Sequence, residues 1–139
     1  MKNKIDTIIF DLGGVLIDWN PEYVYLDVFK GDRRKMKWFF DNICTSVEML
    51  GDSIAGTVSI LKSLIDQKKH RVYALTNWSA ETFPIALDRF DFLQWFEGIV
   101  VSGTEKTRKP FYDIYELTLD RFNIEAEKES PNVIHVLDI

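Results

Sequence analysis

The chain has 139 residues, 46% of them hydrophobic and 14% aromatic, which is one domain's length with enough apolar side chain to fill a core. Seventeen basic residues against 22 acidic ones leave a net charge of −5, and that balance argues against a nucleic-acid binder, whose phosphate contacts need a basic face. The single cysteine, Cys44, excludes a disulfide framework and a multi-cysteine zinc site, and reads as a small buried hydrophobe in a reducing compartment.

The N-terminal MKNKIDTIIFD places two lysines before an apolar run, but the run is far too short for a signal peptide's hydrophobic region. No apolar run approaches the roughly 18 residues that a membrane span needs. The expectation is a soluble cytoplasmic protein with no membrane partner.

In chain order, Ile5 to Phe10 is the first predicted strand, ended by Asp11 and followed by Leu12, Gly13 and Gly14. From Asp18 to about Asp52 the sequence reads as helical segments, Glu22 to Lys30 and Asp32 to Asn42, with an aromatic cluster of Trp38, Phe39 and Phe40. Inserted after the first strand of a single domain spanning 1–139, this stretch (18–52) would lie over the end of the sheet as a reduced helical cap. Thr57 to Lys69 carries Val58, Leu61, Leu64 and Ile65 on one stripe and ends in Lys68, Lys69 and His70, which suits a helix C-terminus. Val72 to Leu75 is the second strand, ended by Thr76 and Asn77, and Ser79 is the predicted N-cap of a helix running to about Phe90.

Gly98 to Val101 is the third strand, ended by Ser102 and Gly103. Pro110 occupies the expected first position of a helix that continues through Phe111, Ile114, Tyr115, Thr118, Leu119 and Phe122. After a polar loop (Glu125 to Pro131), Val133 to Leu137 forms the last strand, ended by Asp138. Strands alternating with helices predict right-handed crossovers and a parallel sheet covered on both faces. Ligands of such sheets bind beyond the carboxyl ends of the strands, where Asp11, Thr76, Ser102 and Asp138 stand.

Each of these residues has a chemical reading and a plain one. A carboxylate at Asp11 can attack phosphorus or carbon and form a covalent intermediate, with Gly13 and Gly14 offering backbone N–H groups to an anion. It can equally be a turn aspartate. Thr76 and Asn77 can donate to phosphate oxygens, or form an ordinary turn. Lys109, just before Pro110, can be held near an anion, or belong to a solvated loop with Glu105, Lys106, Thr107 and Arg108. Asp138 can help Asp11 hold a divalent cation, or be a solvated carboxylate.

Taken together and in that order, the residues resemble the haloacid dehalogenase (HAD)-like hydrolase superfamily, in its Asp-Leu-Gly-Gly sugar-phosphatase-like branch. FDLGGVLIDWNP is similar to its first motif, ALTNWS to its second, RKP to its third and VIHVLD to the start of its fourth. The resemblance runs nearly end to end. It implies a three-layer α/β/α sandwich with a parallel, Rossmannoid sheet. It further implies that Asp11 is the nucleophile, that Thr76 holds the transferring group and that Lys109 neutralises nucleophile and phosphate. Gly13, Gly14 and Asn77 would contact the substrate. Asp11, the Gly13 carbonyl and Asp138 would ligate Mg²⁺. The implied reaction is hydrolysis of a small-molecule phosphate ester through an aspartyl phosphate.

Three departures from the family pattern stand out. Gly13 lies where family phosphatases usually carry a second aspartate to protonate the leaving oxygen, a function glycine cannot perform. Haloacid dehalogenases lack that acid as well, because halide leaves without a proton, and carbon–halogen hydrolysis is therefore the alternative reaction. Between Gly14 and the helix near Thr57 there is less chain than a full family cap needs. After Asp138 only Ile139 follows, which would leave the metal site short of an acidic ligand and the last strand's edge open to a second copy of the chain. A catalytically degenerate phosphate-binding or interaction domain is the alternative outside enzymology. Trp19 and Trp78, following the first two motifs, would line the pocket mouth or pack against the cap helices.

Overall fold

The structure, a computed structural model, describes residues 5–20, 22–42, 50–125 and 133–136. Cys44 and Asp138 lie outside the described residues. In chain order the elements are β1 (Thr7–Phe10), β2 (Ile17–Trp19), α1 (Glu22–Val28), α2 (Arg33–Asn42), β3 (Leu50–Ser53), α3 (Ala55–Gln67) and β4 (Arg71–Thr76). They continue with α4 (Phe83–Arg89), a 3-10 turn (Asp91–Trp95), β5 (Gly98–Val101), α5 (Ser102–Glu105), α6 (Tyr112–Arg121) and β6 (Val133–Val136).

The four apolar runs read as strands form one parallel sheet in the order β5-β4-β1-β6. β1 is central, with Phe10 opposite Ala74 on one side and Val136 on the other. The chain leaves β1 toward β4 and β5, then returns to β6 on β1's far side. The carboxyl end of β1 is therefore the topological switch point, where adjacent connections part and leave a crevice.

Alternation along the strands sorts their side chains between two faces. Ile8, Phe10, Val72, Ala74 and Val101 join Leu61 of α3, Phe83 and Ala86 of α4, and Phe92 and Leu93 of the 3-10 turn. Ile9, Tyr73, Leu75 and Val100 face the other way, onto Ile114, Leu119, Phe122 and Ile124. The sheet is thus covered on both faces, as a three-layer α/β/α sandwich. On the second face the Phe122 ring stacks on Tyr73 with centroids 4.1 Å apart, directly over Gly98.

The segment after β1 turns back on itself. The Leu12 carbonyl accepts the N–H groups of Val15, Leu16 and Ile17, and Gly14 (φ 75°) donates to the Ile17 carbonyl at 2.9 Å. Gly14 adopts this left-handed backbone without the Cβ clash another residue would suffer. Ile17 then starts β2, which pairs antiparallel with β3 (Ile17 with Ser53, Trp19 with Leu50). This hairpin differs from the sequence expectation, which has helical segments alone between Asp18 and Asp52. Leu12, Leu16 and Ile17 are fully buried, so the base of the hairpin belongs to the main core.

The two helices carried between β2 and β3 have their own local logic. Asn20 Oδ1 accepts the Glu22 N–H at 2.9 Å, and Asp32 Oδ1 accepts from Arg34 and Lys35, satisfying first-turn donors that a helix leaves unpaired. A Glu22–Arg33 ion pair links the two helices. Among the described residues no helix is long and apolar enough to cross a membrane.

Two helix starts differ from expectation. α4 begins at Phe83 rather than after Ser79, because Pro84, which has no N–H to donate, fits only a first turn. Ser79 caps the preceding turn instead, its Oγ accepting from the Glu81 N–H and its carbonyl from Phe83. α6 begins at Tyr112. Pro110 stands two residues earlier in the turn that presents Lys109, and the Lys109–Pro110 peptide bond is cis.

A candidate active site at the carboxyl end of the central strand

Asp11 is the first residue past β1 and so stands at the switch point. Its Oδ1 accepts the N–H of Leu12 at 2.7 Å, which turns the carboxylate back over the loop. Its Oδ2 accepts from Lys109 Nζ at 2.5 Å, a contact between residues 98 apart in the chain. Both side chains are only 11% exposed, so the pair is largely withdrawn from water and less screened than a surface ion pair. A cation is thereby held on the carboxylate that stands at the switch point.

The neighbouring strand supplies the support. Thr76 ends β4, is buried, and is followed by Asn77. Asn77 grips the backbone of Lys109 from both sides: Nδ2 donates to the Lys109 carbonyl at 3.0 Å, and Oδ1 accepts the Lys109 N–H at 2.8 Å. An amide is the side chain that can donate and accept in this way at once. Asn77 thus fixes the segment from which the Lys109 ammonium reaches Asp11. The sequence singled out Asn77 as a group that could face phosphate, but carries no signal for this clamp, since its partner lies 32 residues away.

Ser102 and Gly103, past β5, hold the other side of the same loop. Ser102 Oγ accepts from the Trp78 N–H at 3.0 Å and donates to the Trp78 carbonyl at 3.2 Å, while the Gly103 N–H donates to that carbonyl at 2.9 Å. Gly103 is required by this close approach, because a Cβ there would sit 2.4 Å from the Ala80 nitrogen. Trp78 packs on Phe83 of α4, its indole N–H donates to Thr82, and it lies against the main core.

Gly13 and Gly14 shape the loop below Asp11. The N–H of Gly14 bonds to the Ile17 carbonyl and those of Val15, Leu16 and Ile17 to the Leu12 carbonyl, and the Gly13 carbonyl is not among their acceptors. A Cβ built on Gly13 would meet nothing within 4 Å, so the absence of a side chain there is not a packing requirement. Asp18, the next acidic residue along the chain, accepts a short hydrogen bond from the Tyr23 phenol and packs on Gly51. That bond holds Tyr23 above the usual phenol range.

A magnesium ion takes hard oxygen ligands and commonly keeps several waters. The described residues offer the Asp11 carboxylate and the Gly13 carbonyl, which are of that kind, and no cluster of three or more His, Cys, Asp or Glu side chains among them could hold a metal alone. Asp138 lies outside them. The site brings together Asp11, Lys109 and, through its clamp, Asn77, with Thr76 at the end of the adjacent strand.

No family model and no curated protein matches the chain. Solved structures do. A HAD family enzyme from Bacteroides thetaiotaomicron, determined as an aspartate-to-alanine mutant in complex with magnesium and inorganic phosphate, superposes with a TM-score of 0.68 at 19% identity, covering 94% of this chain and 83% of that one. A putative beta-phosphoglucomutase from Thermotoga maritima gives 0.62 at 21% identity over 94% of this chain and 74% of that one. A dehalogenase with an intermediate complex gives 0.67 at 13% identity over 97% and 77%. The chain has the fold of the HAD-like enzymes.

Proposed function

We propose that the chain is a HAD-like hydrolase, a magnesium-dependent phosphatase that acts on a small phosphate ester through an aspartyl phosphate on Asp11. The observation that carries this reading is the Asp11–Lys109 pair at the switch point of the sheet, its lysine anchored by Asn77. Phosphoryl transfer asks for an in-line nucleophile and positive charge around the transferring oxygens, and little else. The fold's likeness to an enzyme determined with magnesium and phosphate supports it.

In this reading a carboxylate oxygen of Asp11 attacks phosphorus, an aspartyl phosphate forms, and the bond from phosphorus to the ester oxygen breaks. The leaving alkoxide takes its proton from solvent, because Gly13 offers none. Lys109 keeps its ammonium beside the carboxylate and the incoming phosphate, and Thr76 donates its hydroxyl to a phosphoryl oxygen. Water then attacks the aspartyl phosphate, releasing inorganic phosphate and restoring Asp11. Mg²⁺, held by Asp11, the Gly13 carbonyl and Asp138, would supply further positive charge to the phosphoryl oxygens.

Carbon–halogen hydrolysis is the second reading, favoured by one observation: the missing acid at Gly13 costs nothing when the leaving group is halide. The two are separated by thermal melting with Mg²⁺ and beryllofluoride, a mimic of the phosphoryl group on aspartate. A ligand that binds only the folded chain raises its midpoint. An upward shift in the wild type that is absent in Asp11→Asn supports the phosphatase. No shift, together with metal-independent release of halide from a haloacid, supports the dehalogenase. No shift and no turnover of either substrate class leaves a degenerate domain.

A further inference from the structure

The helices α1 and α2 are carried at the far end of the β2–β3 hairpin, so the seat of that hairpin decides where they stand. Its near end, Ile17 opposite Ser53, is fixed: Leu16 and Ile17 are fully buried, and the Ile54 N–H donates to the Leu16 carbonyl at 2.8 Å. Its far end, Trp19 opposite Leu50, is separated from the near end by a break in register. Two steps along β2, from Ile17 to Trp19, match three along β3, from Ser53 to Leu50. That is the count of a β-bulge, and a bulge is where a strand pair bends.

Beyond that bend the parts are tied to one another. Asp18 lies at the bulge, and its carboxylate fills the space over Gly51, where a Cβ would sit 2.7 Å from Oδ2. The same carboxylate accepts the phenol O–H of Tyr23 in α1, and Glu22 of α1 pairs with Arg33 of α2. The far end of the hairpin and the first turns of both helices are thus linked into one arm. The main body reaches that arm through Arg89, in the last turn of α4. Its Nη1 donates to the Leu50 carbonyl at 3.1 Å, across 39 residues of chain, and its Nη2 stands 3.6 Å from the Asp52 carboxylate. The Asp52 side chain is fully exposed, so that ion pair is screened and the bond to the carbonyl is the firmer one. Leu50 is buried against the main core, so Arg89 acts at the point where the far end of the arm meets the body.

We infer that Arg89 is the latch of a hinged arm: the β2–β3 hairpin and the helices it carries swing about the bulge at Asp18 when Arg89 releases the Leu50 carbonyl. A short, bulged ladder whose outer strand is exposed at Asp52 and Ser53 has few bonds to break, and belongs to the part of a molecule that opens most readily. Opening exchanges the arginine–carbonyl bond for bonds to water and lifts Leu50 from the core. It breaks no pairing of the four-stranded sheet, in which β1 and β4 each have a strand on both sides. None of Asp11, Thr76, Asn77 and Lys109 takes part, so the inference goes beyond the phosphatase reading and does not depend on it.

The test is hydrogen–deuterium exchange of the full chain, read by mass spectrometry, for the wild type, Arg89→Met, Asp52→Asn and Tyr23→Phe. Methionine keeps an apolar stem beside the Phe90 ring, whose centre lies 5.1 Å from the guanidinium, and the arginine side chain is 41% exposed, so the fold is retained. In Arg89→Met, peptides covering 17–19 and 50–53 are expected to exchange about 2- to 10-fold faster, the worth of one hydrogen bond, while those covering β1, β4 and β5 keep the wild-type rate. Asp52→Asn, which leaves the carbonyl bond in place, is expected to exchange as the wild type does. Tyr23→Phe is expected to speed exchange in α1 alone, because the helix is uncoupled while the latch holds. Unchanged exchange of 50–53 in Arg89→Met overturns the latch. Equal acceleration of β1, β4 and β5, or loss of the fold, also overturns it, by making Arg89 a prop of the whole molecule. An effect of Asp52→Asn as large as that of Arg89→Met would overturn the role given to the carbonyl bond.

Discussion

Asn77→Ala removes the two hydrogen bonds that fix the Lys109 backbone and touches neither Asp11 nor the core. Each bond is a net contribution of about 0.5–1.5 kcal/mol, so about 1–3 kcal/mol of restraint on Lys109 is lost. If that restraint keeps the ammonium where the transition state needs it, kcat falls by about 5- to 150-fold, at 1.36 kcal/mol per factor of ten. KM for a phosphate ester stays within about twofold, since the missing interaction acts on the transition state through Lys109. The assay is steady-state release of inorganic phosphate by the wild type, Asn77→Ala, Lys109→Met and the double variant. The double variant should lose no more than Lys109→Met alone, because the two residues act as one unit. A raised KM with unchanged kcat, or losses that add, would refute the clamp and make Asn77 a direct phosphate ligand.

Other outcomes follow from the same geometry. Gly13→Asp, whose Cβ meets nothing within 4 Å, should speed hydrolysis of alkyl phosphates by about 10²–10⁴-fold while barely changing p-nitrophenyl phosphate, whose leaving group needs no proton; equal effects on both esters would contradict the role given to this position. Gly98→Ala would place a Cβ 2.3 Å from the Phe122 ring and should cost about 1–3 kcal/mol in urea unfolding, whereas Gly56→Ala in α3 has open space and should be neutral or stabilising by up to about 1 kcal/mol. Glu105 has its pKa lowered by Arg121, so its ion pair stabilises the fold above the usual carboxylate range and is lost as pH falls through the depressed value. The stability gap between the wild type and Glu105→Gln should accordingly be widest near neutral pH and close in acid.

The elements legible in the sequence were those with a strong local signal. The four strands of the sheet announce themselves as β-branched runs with polar ends, and Asp11 and Lys109 are marked locally, one by the end of a strand and the other by the proline that follows it. The hairpin was hidden because β2 and β3 are three and four residues long and pair across an insertion of two helices. Gly51 and Asp52, moreover, are poor strand formers. The clamp by Asn77 and the docking of Ser102 on Trp78 are likewise non-local, and a side chain that bonds to a distant backbone leaves no periodic trace. Pro110 misled for a related reason: a proline suits both a helix's first turn and the turn before it, and the choice is made by where Lys109 must reach.

The central claim, a phosphoryl group carried by Asp11, is tested most directly by incubating the protein with Mg²⁺ and a phosphate ester, quenching in acid and mapping any phosphoryl adduct by mass spectrometry. The expected result is one added phosphoryl group on the peptide containing Asp11, absent in Asp11→Asn. Hydrolysis of the ester with no adduct on Asp11, or an adduct that persists in Asp11→Asn, would contradict it.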